Sequence, residues 1–258
     1  KQIQVVPVTA PGSNFGEVRE MLHPLRPQSD NGYVHLPQGV LPVWGNYDVV
    51  VMGGGTAGAP AGIGAARQKS KKLVLEYLHG LGGLATLGFI GCYWDGFRGG
   101  FTSEIDEGVR KMAPADHPRQ IKSDGRFRAD WKMEWYRREL RKNKVDIWYG
   151  VIGCGALVKN DKVEGIIIAT PWGRGVVLAN TVIDSTGSAD IAIAAGASYE
   201  YTGKKNIAVQ GGGLSRFNPN DYYNNTDWTL IDDSDVLDVS RLFVQSKVKY
   251  KGQYDVGK

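Results

Sequence analysis

Apolar residues run unbroken through Val49, Val50, Val51 and Met52, and again through Leu73, Val74 and Leu75, with an alanine- and glycine-rich stretch between the two runs. Short continuous runs of branched residues are the pattern of parallel strands buried on both faces. Asp48–Met52 therefore predicts a strand, residues 56–69 a helix, and Leu73–Leu75 a second strand that closes at Glu76. Pro60 falls in the first helical turn, where its missing N–H costs least. Gly62 and Gly64 weaken a helix, and predict points where its backbone approaches the sheet or a ligand.

Further along, Phe127, Trp131 and Trp135 recur every fourth residue and Leu140 continues the stripe, which predicts an amphipathic helix over 127–143 with a basic far side. Short strands are expected at Asp146–Tyr149, Ala156–Lys159, Val163–Ala169, Gly175–Leu178 and Thr181–Asp184, with turns at Asn160-Asp161 and Trp172-Gly173-Arg174. Thr186-Gly187 begins a tight turn, and Asp190 opens a small-residue helix.

Residues 1–46 read as an irregular arm or the end of a preceding domain, with a candidate strand at Ile3-Gln4-Val5-Val6 and a candidate helix over Phe15–Leu25. Residues 47–200 form the expected α/β domain, interrupted by a helical, cap-like insertion over 103–144 whose first part, Ser103–Pro118, reads as a loop or short cap. Residues 201–258 begin a cap region. Gln210–Gly213 is a turn there, and Val236–Lys249 a candidate helix.

The residues between the first strand and the helix carry the chemistry. Gly53-x-Gly55-x-x-Gly58 fits the dinucleotide-binding turn: one glycine turns sharply off the strand, one admits a pyrophosphate to the backbone, and one lets helix pack on sheet. The N–H groups of Thr56 and Ala57 and the positive end of the helix dipole then face the phosphates. Glu76 follows after about twenty residues, at the spacing of an acid that accepts both ribose hydroxyls and repels a 2′-phosphate.

Composition narrows the picture. The chain has 258 residues, 42% hydrophobic and 22% charged, enough for one large globular domain with attachments. No apolar run reaches the length of a membrane-spanning helix. Cys92 and Cys154 form no CxxC pair, so a metal or iron–sulfur site is not expected; two free thiols are favoured and a single disulfide stays open. Net charge is +4, with much of the basic excess between Arg119 and Lys144. Its aromatics and arginines match either a surface helix with a buried stripe or an RNA-stacking face. The chain begins at Lys1, where a leader could have been removed, so the compartment stays open.

Gly82-Gly83 and Val182-Ile183-Asp184-Ser185-Thr186-Gly187, taken with the glycine turn and Glu76, extend the pattern. Over 47–197 the chain resembles FAD-dependent oxidoreductases of the glutathione reductase and fumarate reductase superfamily, and most of all the branch of heterodisulfide reductase-like FAD proteins. The resemblance implies an α/β, Rossmann-like FAD-binding domain with a parallel sheet and a β-meander insertion. FAD would be held by Gly53, Gly55, Thr56, Ala57, Gly58, Glu76, Gly82, Gly83, Thr86, Val151, Thr186, Gly187 and Asp190, with Val151 touching adenine through its backbone. Thr86, Gly88 and the loop 93–100 would lie beside the flavin.

In that loop Asp95 is the candidate base, and Arg98 the charge that would stabilise reduced flavin. Tyr93, Trp94 and Phe97 could equally be core. His79 lies where some relatives attach FAD covalently, but at a different spacing, and an ordinary loop histidine is favoured. His23, His35 and His117 read as surface, structural or turn residues. The family's late glycine-containing strand is not found after Ala197, so the chain is expected to be part of a longer protein or one of two chains sharing the site. The implied function is hydride transfer between flavin N5 and a small organic substrate, with the polar and aromatic loop 93–98 favouring a polar or sugar-like alcohol. The alternatives are an electron-transfer component of a larger complex, an RNA-modifying flavoprotein and a non-catalytic FAD module.

Overall fold

In order along the chain, the computed structural model describes residues 16–20, 40–68, 70–91, 99–114, 127–200, 207–208, 230–231, 235–237 and 240. They fall into two units, Lys1–Ala197 and Ser198–Lys258.

The first unit is built on one seven-stranded sheet. Its strands are β1 (Glu17–Glu20), β2 (Val43–Met52), β3 (Lys72–Glu76), β4 (Asp146–Tyr149), β5 (Ile152–Lys159), β6 (Lys162–Thr170) and β7 (Gly173–Asp184), in the spatial order β1-β5-β6-β7-β2-β3-β4. β7, β2, β3 and β4 run parallel, while β1, β5, β6 and β7 pair antiparallel. The helices are α1 (Gly58–Ala66), α2 (Phe101–Arg110), α3 (Ala129–Lys142) and α4 (Asp190–Ala195), with a single 3₁₀ turn at Gly83–Ala85.

The unbroken apolar runs divide between two cores, as a two-residue side-chain period requires. Val50, Met52, Leu73 and Leu75 pack on one face with Ile191 of α4. Val51 and Val74 pack on the other with Ile63 of α1, Leu81, and Trp135 and Leu140 of α3. Gly62 is where α1 closes on this second face, since a Cβ there would meet Val74 at 2.6 Å and Leu140 at 3.0 Å. A Cβ on Gly64 would meet nothing within 4 Å, so of the two only Gly62 is pressed against the protein's own core.

Several expectations are corrected. β2 begins at Val43, because its first residues pair with β7 from Val176 onward. The stretches 175–178 and 181–184 are one strand, β7, whose start pairs with β6 and whose end enters the parallel sheet beside β2. Asn160 and Asp161 make the expected two-residue turn with φ of 50° and 59°, whereas the next turn is Pro171-Trp172, since Thr170 pairs with Gly173.

Glu17–Glu20, inside the expected helix over 15–25, is strand, paired antiparallel with β5. A free sheet edge thus overrides a helical local pattern. Phe101–Arg110, expected as loop from Ser103, is helix, with Ile105 and Val109 one turn apart and buried. On α3, Lys132 from the expected basic side is only 1% exposed. Its ammonium lies over the Phe127 ring at 3.7 Å.

In the second unit, β8 (Ile207–Ala208) pairs antiparallel with β9 (Leu230–Ile231). Residues 236, 237 and 240 are helical, and the rest of the expected helix lies outside the described residues. No described helix is long and apolar enough to cross a membrane.

Candidate functional site

The carboxyl ends of four parallel strands meet in one line, where open α/β sheets bind ligands. Met52 is in register with Leu75 on one side and Asp184 on the other, and Glu76 pairs with Tyr149. The glycine turn leaves the end of β2. Gly53 has φ of 93°, and a Cβ on it would lie 2.3 Å from the Ser185 carbonyl oxygen. One at Gly58 would lie 1.6 Å from the Gly53 oxygen. Both glycines are therefore required by the turn itself.

Gly55 differs. The nearest atom to a Cβ there is the Gly83 Cα at 4.0 Å, so the position opens into a cradle that no neighbour fills. Among the described residues, the N–H groups of Gly55, Thr56 and Ala57 donate to no carbonyl. Thr56 and Ala57 are exposed. Unpaired amides at the start of α1, around an open glycine, fit a pyrophosphate.

Glu76 is buried, and both carboxylate oxygens are engaged. Oε2 accepts from the Gly54 N–H at 2.7 Å, and Oε1 from the Leu78 N–H at 2.7 Å. The acid is thereby fixed beside the turn. The Val151 N–H is committed to the Glu76 carbonyl at 3.1 Å, which ties the start of β5 to the same place.

The paired glycines close over the turn. The Gly82 N–H donates to the Gly54 carbonyl at 2.8 Å, and the Thr56 hydroxyl donates to the Gly82 carbonyl at 3.0 Å. Gly82 and Gly83 take φ of 96° and 55°, and a Cβ on Gly83 would stand 3.1 Å from the Gly55 Cα. Only glycine admits this backbone-to-backbone approach. Thr86 is buried and its hydroxyl donates to the Leu81 carbonyl, so its described bonds brace the loop.

At the end of β7, Asp184 organises the second turn. Its Oδ1 accepts from the Thr186 N–H at 3.0 Å and the Thr186 hydroxyl at 2.7 Å. Its Oδ2 accepts from the N–H groups of Ile191 and Ala192 at 2.9 and 2.8 Å, satisfying the start of α4. Burial raises the Asp190 pKa above the usual carboxylate range, the Asp184 charge adds to this, and the Thr186 hydrogen bond opposes it. Gly187 has φ of 89°, and a Cβ there would meet nothing within 4 Å.

The structure thus brings Gly53, Gly55, Thr56, Ala57, Gly58, Glu76, Gly82, Gly83 and Val151 into one linked set, with Thr186, Gly187 and Asp190 on the turn after the neighbouring strand. Asp95 and Arg98 lie outside the described residues, as do Cys92, Tyr93, Trp94, Phe97, His23, His35 and His117. His79 is exposed on the loop after Glu76.

The sequence places Tyr149 only at the end of a strand, and its pairing with Glu76 goes unread there. Burial raises its phenol pKa, with the Arg137 and Arg141 charges lowering it and Glu76 raising it. A register argument placing Tyr149 beside Glu76 would have found it. The basic side of α3 is largely paired within its own helix. Arg137 makes two bonds to Glu134 at 2.6 and 2.7 Å, Arg138 one at 2.7 Å, and together they hold the Glu134 pKa down at about 2.

Comparisons with known proteins fit this geometry. The family model described as FAD dependent oxidoreductase matches residues 48–256. A geranylgeranyl bacteriochlorophyll reductase-like protein from Thermoplasma acidophilum is similar with a TM-score of 0.52 and 18% identity, over 81% of this chain and 63% of that one. Thermovibrio ammonificans THI4 is similar with a TM-score of 0.44 and 21% identity, over 58% of this chain and 61% of that one. The chain thus spans less than two thirds of the length of either. At 18% identity the likeness to the Thermoplasma acidophilum protein concerns the fold alone. No curated protein matches the chain.

Proposed function

Because the chain belongs to the FAD dependent oxidoreductase family, we propose that it serves hydride transfer between a small organic substrate, an alcohol of polar, sugar-like kind, and N5 of FAD. The observation that carries the reading is the cradle at Gly55, with free amides on Thr56 and Ala57 and a buried Glu76 locked beside it. Those amides would take the pyrophosphate and Glu76 the ribose hydroxyls, Val151 would border the adenine, and Gly82, Gly83 and Thr86 would form the backbone edge of the flavin site. The turn at Thr186, Gly187 and Asp190 would take the ribityl side.

Bound FAD supplies a two-electron acceptor at N5. On the protein side, Asp95 would accept the hydroxyl proton as the carbinol carbon gives up its hydride, which leaves a carbonyl product. Arg98 would offset the negative charge gained at the ring. The rest of the substrate site would come from other parts of the polypeptide. Gly82-Gly83 and Val182–Gly187 support a place beside the heterodisulfide reductase-like FAD proteins within the family.

An absorption spectrum of the purified full-length protein, taken before and after acid precipitation, tests this. Flavin colour released to the supernatant is expected, followed by anaerobic bleaching with an alcohol substrate. Colour held in the pellet would point to covalent attachment at His79. A colourless protein that takes up no added FAD would overturn the reading.

A further inference from the structure

The two edges of the seven-stranded sheet are unlike. At one end β1 carries Glu17, Arg19 and Glu20, and charge on an edge strand discourages further pairing. At the other end β4 reads Asp146-Ile147-Trp148-Tyr149 and, among the described residues, pairs only with β3. No lysine, proline or bulge blunts its outer backbone groups. Beside it lies a cavity of about 380 Å³ lined by every residue from Val145 to Tyr149, so the cavity is a groove along the whole strand and not a pit at one end.

Arg137 and Arg141, on successive turns of α3, line the same groove. Two nitrogens of Arg137 are bound to Glu134, at 2.6 and 2.7 Å. Arg141 has no hydrogen bond or ion pair from its side chain among the described residues. Asp146 does not offset these charges, because alternate residues of a strand take opposite faces. Ile147 packs into the core beneath α3 and Trp148 into the opposite one. Asp146 therefore shares the Trp148 face, where its carboxylate accepts from the Tyr47 hydroxyl at 2.8 Å. On the α3 side, the charges lining the groove are all positive.

We propose that the free edge of β4 takes up an extended acidic segment of a partner protein, which adds to the sheet as a further strand with its carboxylates turned to Arg137 and Arg141. Ladder hydrogen bonds would hold the backbone, and the arginines would select the side chains. The spacings agree. Residues i and i+2 of a strand stand about 6.6 Å apart, and residues i and i+4 of a helix rise about 6 Å, so two acids separated by one residue meet the two arginines. A second copy of this chain does not fit. Two β4 edges paired antiparallel about a two-fold axis would bring both α3 helices to one face of the joined sheet, arginines against arginines. The site is distinct from the cofactor cradle and stands without the hydride-transfer reading.

The test titrates the full-length protein into a labelled peptide of alternating glutamate and threonine and reads fluorescence anisotropy. Saturable binding is expected, with slower amide exchange within 146–149 in the bound state. Arg141 is exposed, so Arg141→Gln should keep its melting temperature and weaken the peptide by about tenfold. Lysine in place of every glutamate should abolish binding, and so should methylation of every peptide nitrogen. No binding by the acidic peptide, or equal binding by Arg141→Gln, would overturn the proposal. Full binding by the methylated peptide would overturn it in favour of a plain anion site. A peptide-free dimer in sedimentation that shuts the peptide out would overturn it in favour of a second copy.

Discussion

Glu76 and Gly54 are joined by a 2.7 Å hydrogen bond from the glycine N–H to a carboxylate oxygen. The acid that closes β3 is thus tied to the turn that follows β2, and a second 2.7 Å bond from the Leu78 N–H holds its other oxygen. One carboxylate therefore sets the spacing between two strand ends. Glu76→Gln keeps the shape but turns an amide donor toward an N–H donor. A loss of about 1–3 kcal/mol in urea unfolding is expected, together with weaker FAD binding in a fluorescence titration. A variant with full stability and full affinity would show that the two bonds are dispensable.

Much of this site is legible in the sequence because its constraints are local. Val51 and Val74 betray a strand buried on both faces, and the interval to Glu76 follows from one helix and one strand. Glu17–Glu20 and Phe101–Arg110 are less legible. The first is strand only because the edge of β5 offers a partner, and the second buries only Ile105 and Val109 fully, with Phe101 packed beside them. The positive φ of Phe89 and its exposure are not legible either, since nothing in the neighbouring residues announces them.

Gly55 and Gly58 separate binding from folding. Gly58→Ala would drive a Cβ to 1.6 Å from the Gly53 oxygen, so the turn must open and the protein should fail to fold or lose well over ~3 kcal/mol. Gly55→Ala meets only one atom, at 4.0 Å. Its stability should stay within about 1 kcal/mol, while the methyl group blocks the cradle and FAD binding collapses. Calorimetric melting and FAD titration on both variants check this, and equal FAD affinity in Gly55→Ala would place the pyrophosphate elsewhere.

Asp184 accepts four hydrogen bonds, two of them from the first N–H groups of α4. Asp184→Ala leaves those donors without a partner at a partly buried helix start. The expected cost is about 2–4 kcal/mol, the sum of a lost cap and unsatisfied amides. Amide hydrogen exchange at Ile191 and Ala192 should rise even in conditions where the rest of the domain stays folded. Unchanged protection at those two amides would mean that α4 is held by its packing on the sheet and not by Asp184.

Lys132 supplies a pH dependence of unusual sign. Burial lowers its pKa from 10.5 to about 8, against a smaller opposing pull from the Asp106 carboxylate. Between those two values the unfolded chain binds more protons than the folded one, so stability must rise with pH across that window. At about 1.36 kcal/mol for each pH unit, the gain from pH 8 to 10.5 approaches roughly 3 kcal/mol. Below pH 8 the ammonium is charged in both states and the penalty is constant. Lys132→Met retains the apolar stem but cannot titrate. Subtracting its urea-unfolding profile from that of the unaltered protein should isolate a difference that grows between pH 8 and 10. A flat difference would place the ammonium in contact with water, where burial could not have shifted it.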